Sequence, residues 1–379
     1  MNTSLHTFSE NTWFKHPLSK AVDIQKANLV LCFGSKSLLQ IDSIYNTVKT
    51  KFPVSQIAMC STAGEIYQDS VQNNSLVVVA MEFKKTTIQT TKVNIKDYNS
   101  SFNAAIGLAK KIPKDNLCYV MILSDGSLVN GSELVKGLST QIDKNILISG
   151  GLAGDDANFE STLLGLNEQP KNGEIIAIGF YGNHLTVTHG SQHGWDIFGL
   201  EKRITNASKN VLFELEGQNA LELYKKYLGP EAKNLPGSAL LYPLSVTIPG
   251  ATKPIVRTIL SINEDDKSMT FAGDVPVGSV VKFMNANLQN LTNAAYQAAE
   301  HTTKINNKEP DFSLLVSCVG RKLVLDTHIN EEVKAVSEFY KNKTLLAGFY
   351  SYGEISPFND GGNCQLHNQT MTITSFYED

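Results

Sequence analysis

The sequence lacks several features that would place the protein in a specialised class. It has no basic excess, since 33 Lys and Arg against 37 Asp and Glu give a formal net charge of -4. A surface that neutralises nucleic-acid phosphates is therefore not predicted. The longest apolar runs, such as Leu76 to Met81, are far shorter than the ~20 residues that cross a bilayer. The polar N-terminal stretch has no signal-peptide core, so we expect a cytoplasmic protein.

Cysteine is scarce and its spacing forms no motif. The five cysteines are an odd number and lie far apart, without Cys-x-x-Cys. This pattern is typical of reduced thiols rather than a disulfide framework or a zinc site. The missing Cys-x-x-Cys-His also excludes covalent c-type haem. No Gly-x-Ser-x-Gly nucleophile elbow occurs, and we expect the protein not to be an enzyme.

The order strand, helix, strand, Gly-acid turn, strand occurs three times. The turns are Ala63-Gly64-Glu65, Ala153-Gly154-Asp155 and Tyr352-Gly353-Glu354. From the glycine that ends the preceding strand to the turn glycine, the separations are 30, 28 and 33 residues. One such turn is typical of the end of an edge strand, whereas three indicate a shared structural device. The pattern predicts an α/β fold of mixed β-sheets with packed helices.

Length favours two domains, because single cores stop growing at roughly 250–300 residues and this chain has 379. We place the domains at 20–183 and 184–379, with a different, strand-rich region between the second and third repeats. The patterning also predicts paired strands at 76–83 and 87–93, strands at 239–242 and 256–262, and a turn at 319–322.

His367 is the first candidate for chemistry. It lies near the Tyr350 and Tyr352 turn, three residues after Cys364. A histidine there can ligate a metal or haem iron or bind an anion, and it can equally be a hydrogen-bonded structural residue. Cys364 and His367 alone are too few ligands for zinc.

A second cluster contains His189, His193 and Trp195. The two histidines have the same parity, which would place them on one face of an extended strand. Trp195 can line a flat apolar pocket or pack the domain junction.

The acids of the repeated turns have two interpretations. Glu65, Asp155 and Glu354 can act as paired acids, or they can cap backbone N–H groups in the turns. The glycine-rich run at 150–156 fails as a phosphate loop, because no helix start follows and its two aspartates would repel an anion.

A set of motifs then resembles one known family, the FIST domain, a prokaryotic sensory module with an N-terminal and a C-terminal part. The motifs occur in the family's order, and the resemblance spans about 20–376. The motifs are Cys60-Ser-Thr-Ala-Gly64-Glu, Gly150-Gly-Leu-Ala-Gly154-Asp-Asp, Ser191-Gln-His-Gly-Trp195, Ser317-Cys-Val-Gly-Arg321, and the stretches that start with Tyr352-Gly-Glu-Ile and Leu366-His-Asn. The resemblance implies a small-ligand sensor that signals to kinases or related proteins. The length leaves no room for an output domain, so a stand-alone member is expected.

Stand-alone FIST proteins include the NosP type, and this resemblance implies b-type haem, nitric-oxide sensing and a partner histidine kinase. His367, with His193 as second candidate, would then ligate the iron, and Trp195, Tyr350 and Tyr352 would line the pocket. The alternative is a sensor of an amino acid or other small metabolite, bound by Ser61, Glu65, Arg321, Glu354 and His367. A hydrolase using Cys60 or Ser61 is a third hypothesis, and a homo-oligomer is left open.

Overall fold

The architecture is that of a computed structural model, which describes residues 1–251, 253–303, 308–357 and 364–379. The first part of the chain contains a helical pair and seven strands. These are β1 (Asn2–Ser9), β2 (Thr12–Lys15), β3 (Leu29–Gly34), α1 (Lys36–Leu39), α2 (Ile44–Lys51), β4 (Gln56–Ser61), β5 (Glu65–Tyr67), β6 (Ser70–Gln72) and β7 (Leu76–Glu82).

The second part has a similar order, but a helix both precedes and follows its first central strand, and both helices are longer than α1 and α2. Its elements are β8 (Thr87–Asn94), α3 (Ser101–Lys110), β9 (Leu117–Ser124), α4 (Gly131–Ser139), β10 (Leu147–Leu152), β11 (Leu164–Leu166) and β12 (Glu174–Tyr181). The side chain of Asn130 caps α4, because it accepts a hydrogen bond from the Glu133 backbone at 3.0 Å.

The third part begins with β13 (Leu185–Gln192), and a separate subdomain then interrupts it. The subdomain contains β14 (Asp196–Ser208), β15 (Val211–Leu215), β16 (Gln218–Asn219), α5 (Ala220–Leu228), β17 (Leu244–Thr247), β18 (Ile255–Arg257), β19 (Ile259–Asn263), β20 (Ser268–Phe271) and β21 (Val280–Asn285). The repeat then resumes with α6 (Leu288–Thr303), β22 (Phe312–Cys318), α7 (Val319–Leu325), α8 (Ile329–Phe339), β23 (Leu346–Ser351), β24 (Gly353–Pro357), β25 (Cys364–His367) and β26 (Met371–Glu378).

Three six-stranded sheets share one central order. Their strand orders are β11-β4-β3-β7-β1-β2, β25-β24-β10-β9-β12-β8 and β13-β26-β22-β23-β5-β6. In each sheet the two strands that flank the repeat's helix are parallel. The last strand of the repeat (β7, β12 or β26) pairs antiparallel with the first of these two. The α/β prediction and the threefold repeat are confirmed.

Each repeat donates one or two strands to a neighbouring sheet. The strand that follows the first turn, β5, pairs with β23 of the third repeat. In the same way β11 of the second repeat pairs with β4, and β24 of the third pairs with β10. The Gly-acid turns are therefore crossovers between sheets, and the exchange closes in a ring of three.

The crossovers also contact one another through backbone hydrogen bonds. Ala63 donates to the carbonyl of Tyr350 at 2.8 Å, Gly154 to that of Ser61 at 3.0 Å, and Tyr352 to that of Leu152 at 3.2 Å. A Cβ at Gly154 would lie 2.8 Å from the backbone nitrogen of Ala63. Glycine is thus needed there because two backbones approach closely.

The inner faces of the three sheets form a common core rich in aromatic side chains. Phe33 stacks on Phe349 at 4.9 Å between ring centroids, and Phe312 stacks on Phe376 at 5.9 Å. The helices cover the outer faces through separate apolar clusters. The subdomain between β13 and α6 has its own core, which includes Leu212, Phe271 and Phe283.

Four local predictions are wrong. Strands 76–83 and 87–93 do not pair together: β7 lies between β3 and β1, and β8 pairs with β12, because they belong to different repeats. The stretch 237–241 is a 3-10 helix rather than a strand, the strand at 256–262 divides into β18 and β19, and the predicted turn at 319–322 is the first turn of α7. The patterning gives no sign of β1 and β2.

The domain boundary predicted at 183/184 falls between β12 and β13 and stays a prediction. Within the described ranges, no helix has the length and apolar character needed to cross a membrane.

Candidate functional site

The acids of two crossovers each bind a hydroxyl of their own turn and a backbone N–H group further along the chain. Glu65 accepts hydrogen bonds from the hydroxyl of Thr62 and from the backbone and hydroxyl of Ser75. Glu354 accepts from the hydroxyl of Ser351 at 2.8 Å and the backbone of Thr370 at 3.2 Å. Burial raises the pKa of Glu65 to about 7 and that of Glu354 to about 8. The geometry is that of the capping interpretation.

The second crossover uses its acid differently. Asp155 accepts a short hydrogen bond from the hydroxyl of Tyr352 and forms an ion pair with Lys36 at 3.1 Å. Burial acts to raise the pKa of Asp155, but the hydrogen bonds from Tyr352 and Ser161 outweigh it and hold the pKa below its ordinary value. Ser61, in the first crossover, donates to the carbonyl of Gly154 at 2.7 Å.

Arg321 is fully buried, and all its N–H donors are used. Its Nε and Nη2 lie 2.6 Å from one carboxylate oxygen of Glu332. Nη1 donates to the carbonyls of His193 and Gln369, and Nη2 donates to that of Leu291. These contacts match the five donors of a guanidinium, so the side chain has no donor left for a ligand in this arrangement.

Three histidines, His189 on β13, His193 just after it and His367 on β25, lie near enough for their charges to interact. Burial lowers the pKa of His367 and of His193 to about 4, and that of His189 to about 3. A charge on His367 would lower the pKa of His189 further, and one on His193 would do the same to His367. All three are therefore neutral imidazoles at pH 7.

The predicted pocket aromatics are engaged inside the protein. The indole N–H of Trp195 donates to the carbonyl of Gln369 at 3.0 Å. Tyr350 is fully buried and donates to Glu332 at 2.8 Å. The hydroxyl of Tyr352 binds Asp155, and its ring stacks on Phe159 with centroids 4.6 Å apart.

The described side chains do not fit a haem on either candidate histidine. His367 is 1% exposed and its Nε2 lies 3.0 Å from the carbonyl of Ser356. Tyr350 and Trp195 are 0% and 4% exposed, whereas a haem-sized space would leave such walls accessible to solvent. No group of three or more His, Cys, Asp and Glu within the described part of the chain is arranged to hold a metal ion. A haem would require these residues to move apart.

A cleft of about 360 Å³ lies between the second repeat and the inserted subdomain. Tyr352 is a predicted site residue that lines it. The remaining lining comes from 126–131, Leu152, Phe159, Asn210, Leu260 and 271–273.

Large apolar side chains converge on this cleft while partly exposed to water. Leu128 is 48% exposed, and Phe159 and Leu260 are each 43% exposed. Phe271 and Leu152 supply buried apolar surface beside them. The wall is mixed in character, because these apolar side chains lie beside polar groups such as Ser127, Asn130 and Asn210. A concave site that combines apolar surface with polar groups can hold a small molecule.

The floor of the cleft is held by polar contacts. One carboxylate oxygen of Asp125 accepts hydrogen bonds from the backbones of Ser127 and Leu128 at 2.8 and 2.7 Å. Its other oxygen accepts from the backbone of Gly173 at 2.8 Å. The loop before α4 is therefore pre-formed. Asn130 links this loop to the subdomain, because its side chain donates to Asp274 at 3.3 Å.

The comparisons with known families cover both sides of this cleft. A FIST N domain matches residues 28–218, and a FIST C domain matches residues 220–357. The chain belongs to the FIST family. This membership supports small-ligand sensing in signal transduction rather than catalysis.

Two similar proteins add little to the FIST assignment. The uncharacterized protein MJ1623 of Methanocaldococcus jannaschii is 21% identical over 380 residues, which cover 90% of this FIST chain and 70% of that protein. The crystal structure of a cyanuric acid hydrolase from A. caulinodans aligns with 77% of this chain and 99% of its own, at 9% identity and a TM-score of 0.18. That TM-score is too low to support any statement about fold or activity.

The cleft lies at the junction of the two FIST segments. Residues 126–131, Phe159 and Asn210 fall within the FIST N match, whereas Leu260, 271–273 and Tyr352 fall within the FIST C match. The sequence marks this site weakly. Asn130 followed three residues later by Glu133 is a recognisable helix cap, but Phe159 and Leu260 resemble any apolar residue of a loop or strand.

Cys60, the nucleophile of the hydrolase hypothesis, is fully buried in this FIST chain. Burial raises the pKa of its thiol well above the ordinary value, and a charge on Asp125 raises it further. The reactive form of a cysteine is the thiolate, so the surroundings of Cys60 oppose nucleophilic chemistry.

Proposed function

We propose that this FIST protein is a ligand-sensing signal-transduction protein that binds its small-molecule ligand in the cleft between the FIST N and FIST C segments. The observation that carries the proposal is that the cleft wall comes from both segments. Ligand sites occur preferentially at such junctions. A ligand held there contacts both segments and stabilises the relative arrangement of the two segments that binds it most tightly.

The exposed side chains indicate an apolar contribution to binding. Complete burial of a leucine or phenylalanine side chain contributes roughly 1.5–3 kcal/mol. Leu128, Phe159 and Leu260 are each a little under half exposed, so covering each one contributes about 1 kcal/mol. Together they supply part of the affinity, and the polar groups of the ligand set its orientation.

A thermal-shift screen of small metabolites and apolar fragments tests this proposal, with two leucine variants of the subdomain. Leu260→Ser alters the cleft wall, whereas Leu200→Ser alters a leucine that is 73% exposed on β14 and outside the lining. We expect a ligand that stabilises the wild type and Leu200→Ser at similar concentrations. Leu260→Ser should need at least a several-fold higher ligand concentration for the same thermal shift. A ligand that stabilises all three proteins equally would place the site elsewhere.

A haem-dependent nitric-oxide sensor is the second candidate. The observation in its favour is the cluster of three neutral histidines, since neutral imidazole is the form that ligates iron. Added hemin would then give a Soret band that shifts with nitric oxide, and His367→Ala or His193→Ala would abolish it. An unchanged spectrum of free hemin would end this hypothesis and leave the cleft proposal intact.

We also propose a histidine kinase as the signalling partner, on the basis of the FIST resemblance. The test adds this protein, with and without its ligand, to a purified candidate kinase and follows autophosphorylation. A ligand-dependent change in rate is expected. A rate that stays constant in both conditions contradicts that kinase as partner without affecting the ligand site.

A further inference from the structure

Phe159 lies on the wall of the cleft with one face of its ring covered. The ring stacks on Tyr352 with centroids 4.6 Å apart and an angle of 19° between the planes. Phe159 is nevertheless 43% exposed, and both rings line the cleft. Because Tyr352 covers one face, the exposed area of Phe159 belongs to its other face and its edge. The cleft therefore offers an open aromatic face that is backed by a second ring.

The backbone holds Phe159 in a conformation that bulky residues rarely adopt. Its φ of 55° lies in the left-handed region, where a residue with a Cβ is strained. The hydroxyl of Tyr352 fixes this conformation by accepting a hydrogen bond from the Phe159 backbone at 3.0 Å. One carboxylate oxygen of Asp155 also accepts from the backbones of Glu160 and Ser161 at 3.3 and 3.0 Å. Strained residues of this kind cluster at ligand sites, and here the strain presents a ring to the cleft.

The lining of the cleft carries no charged side chain among the described residues. Its polar side chains are the hydroxyls of Ser127 and Tyr352 and the carboxamides of Asn130 and Asn210. A charged ligand that leaves water for such a lining meets no opposite charge to offset its lost hydration. An uncharged ligand avoids this cost, and neutral hydroxyl and amide groups can orient it.

The charged side chains behind the lining are engaged within the protein. Asp125 accepts backbone hydrogen bonds of the loop before α4, and Asp274 accepts one from the side chain of Asn130. Arg257 donates to three backbone carbonyls. These groups of both signs stabilise the wall, so they do not select a charged ligand.

We propose that the ligand of the cleft is an uncharged compound with a flat aromatic ring. The ring stacks on the open face of Phe159 and extends the stack that begins at Tyr352. Offset-stacked rings attract each other beyond the burial of their apolar area. The cleft volume of about 360 Å³ lies near the lower end of the roughly 300–1,000 Å³ of ligand pockets, which favours a small ring system. This inference rests on the proposed function, because it assigns a ligand class to the same cleft.

Matched probes that differ in charge test the ligand class by isothermal titration calorimetry. Each set contains an aryl carboxamide, the aryl carboxylate and the arylmethylammonium ion on one benzene, naphthalene or indole ring. We expect the tightest carboxamide to bind the wild type more tightly than its two charged counterparts by roughly tenfold or more. A charged probe that binds as tightly, and that is weakened by Leu260→Ser but not by Leu200→Ser, would overturn the inference and leave the proposed function standing. If no probe binds, the uncharged aromatic class is refuted, and the wider ligand screen decides the proposed function separately.

Two phenylalanine variants test the stacking on Phe159. Phe159→Leu keeps an apolar side chain and removes the ring, whereas Phe14→Leu changes a phenylalanine that is 56% exposed on β2 and outside the lining. Each variant is titrated with the best carboxamide and with the same compound after saturation of its ring. We expect the wild type and Phe14→Leu to prefer the flat ring by about three- to tenfold, and Phe159→Leu to lose this preference.

The preference is a ratio of two affinities within one protein, so it does not depend on how much of a variant is folded. If the preference persists in Phe159→Leu while Leu260→Ser still weakens binding, the stacking is refuted and the cleft remains the ligand site. If Leu260→Ser leaves the binding of every probe unchanged, the probes bind outside the cleft, and both the inference and the proposed site are contradicted.

Discussion

Replacing Glu354 with glutamine should change how the stability of the protein depends on pH. The carboxyl is fully buried and its pKa is raised from 4.5 to about 8, chiefly by burial. Between these values the folded state binds a proton that the unfolded state has lost. The free energy of unfolding therefore falls as pH rises through this range.

The histidines change the free energy of unfolding in the opposite direction over the same interval. The lowered pKa values of His6, His189, His193 and His367 make stability rise as pH increases past 6.5, by about 0.4 kcal/mol for each histidine. Only the difference between the wild type and a Glu354 variant therefore isolates the effect of Glu354. At about 1.4 kcal/mol per pKa unit, Glu354 accounts for a loss on the order of 1–2 kcal/mol between pH 6.5 and 8. Glu65, with its pKa near 7, adds a smaller loss.

Urea unfolding at several pH values measures this difference. From pH 6.5 to 8 the stability of the wild type should fall relative to that of Glu354→Gln by on the order of 1–2 kcal/mol, whatever the stability of the variant at a single pH. Glu300→Gln, on the exposed face of α6, is the control and should keep the slope of the wild type. Equal slopes for Glu354→Gln and the wild type would refute a protonated Glu354 in the folded state.

Two further predictions concern an ion pair within the third repeat and a close contact between two crossovers. Arg321→Met leaves the carboxylate of Glu332 buried without its cation, so we expect the free energy of unfolding in urea to fall by about 3–5 kcal/mol. Adding Glu332→Leu should restore part of this free energy. A double variant no more stable than Arg321→Met would contradict the ion-pair account. Gly154→Ala places a methyl 2.8 Å from the backbone of the neighbouring crossover, so we expect a cost of about 1–3 kcal/mol in the same assay, whereas Gly237→Ala, in open space, should cost clearly less.

The repeats were predictable because each consists of local signals. Strand periodicity and Gly-acid turns recur within short segments, and the structure has a strand, helix and second strand before each of the three turns, as the sequence predicts. The exchange of strands was not predictable in this way. The partner of β5 is β23, which lies some 280 residues further along the chain, and no local pattern encodes such a pairing. The same limit explains the error over 76–83 and 87–93, where a short connection suggested a hairpin.

The candidate site shows a similar division. Sequence motifs led to the crossover residues, and the structure places Ser61, Glu65, Arg321 and Glu354 in contacts within the protein. Their assignment to ligand binding stays a prediction. The cleft depends on packing between the second repeat and the subdomain, so its apolar residues carry no local signal.

Hydrogen–deuterium exchange with the best ligand from the screen tests the central claim most directly. A ligand in the cleft should slow exchange in the loop at 126–131 and in β19 and β20, on both sides of the FIST N and FIST C junction. Exchange around His189 and His367 should stay unchanged. Protection confined to those histidines, with no effect at the cleft, would contradict the account.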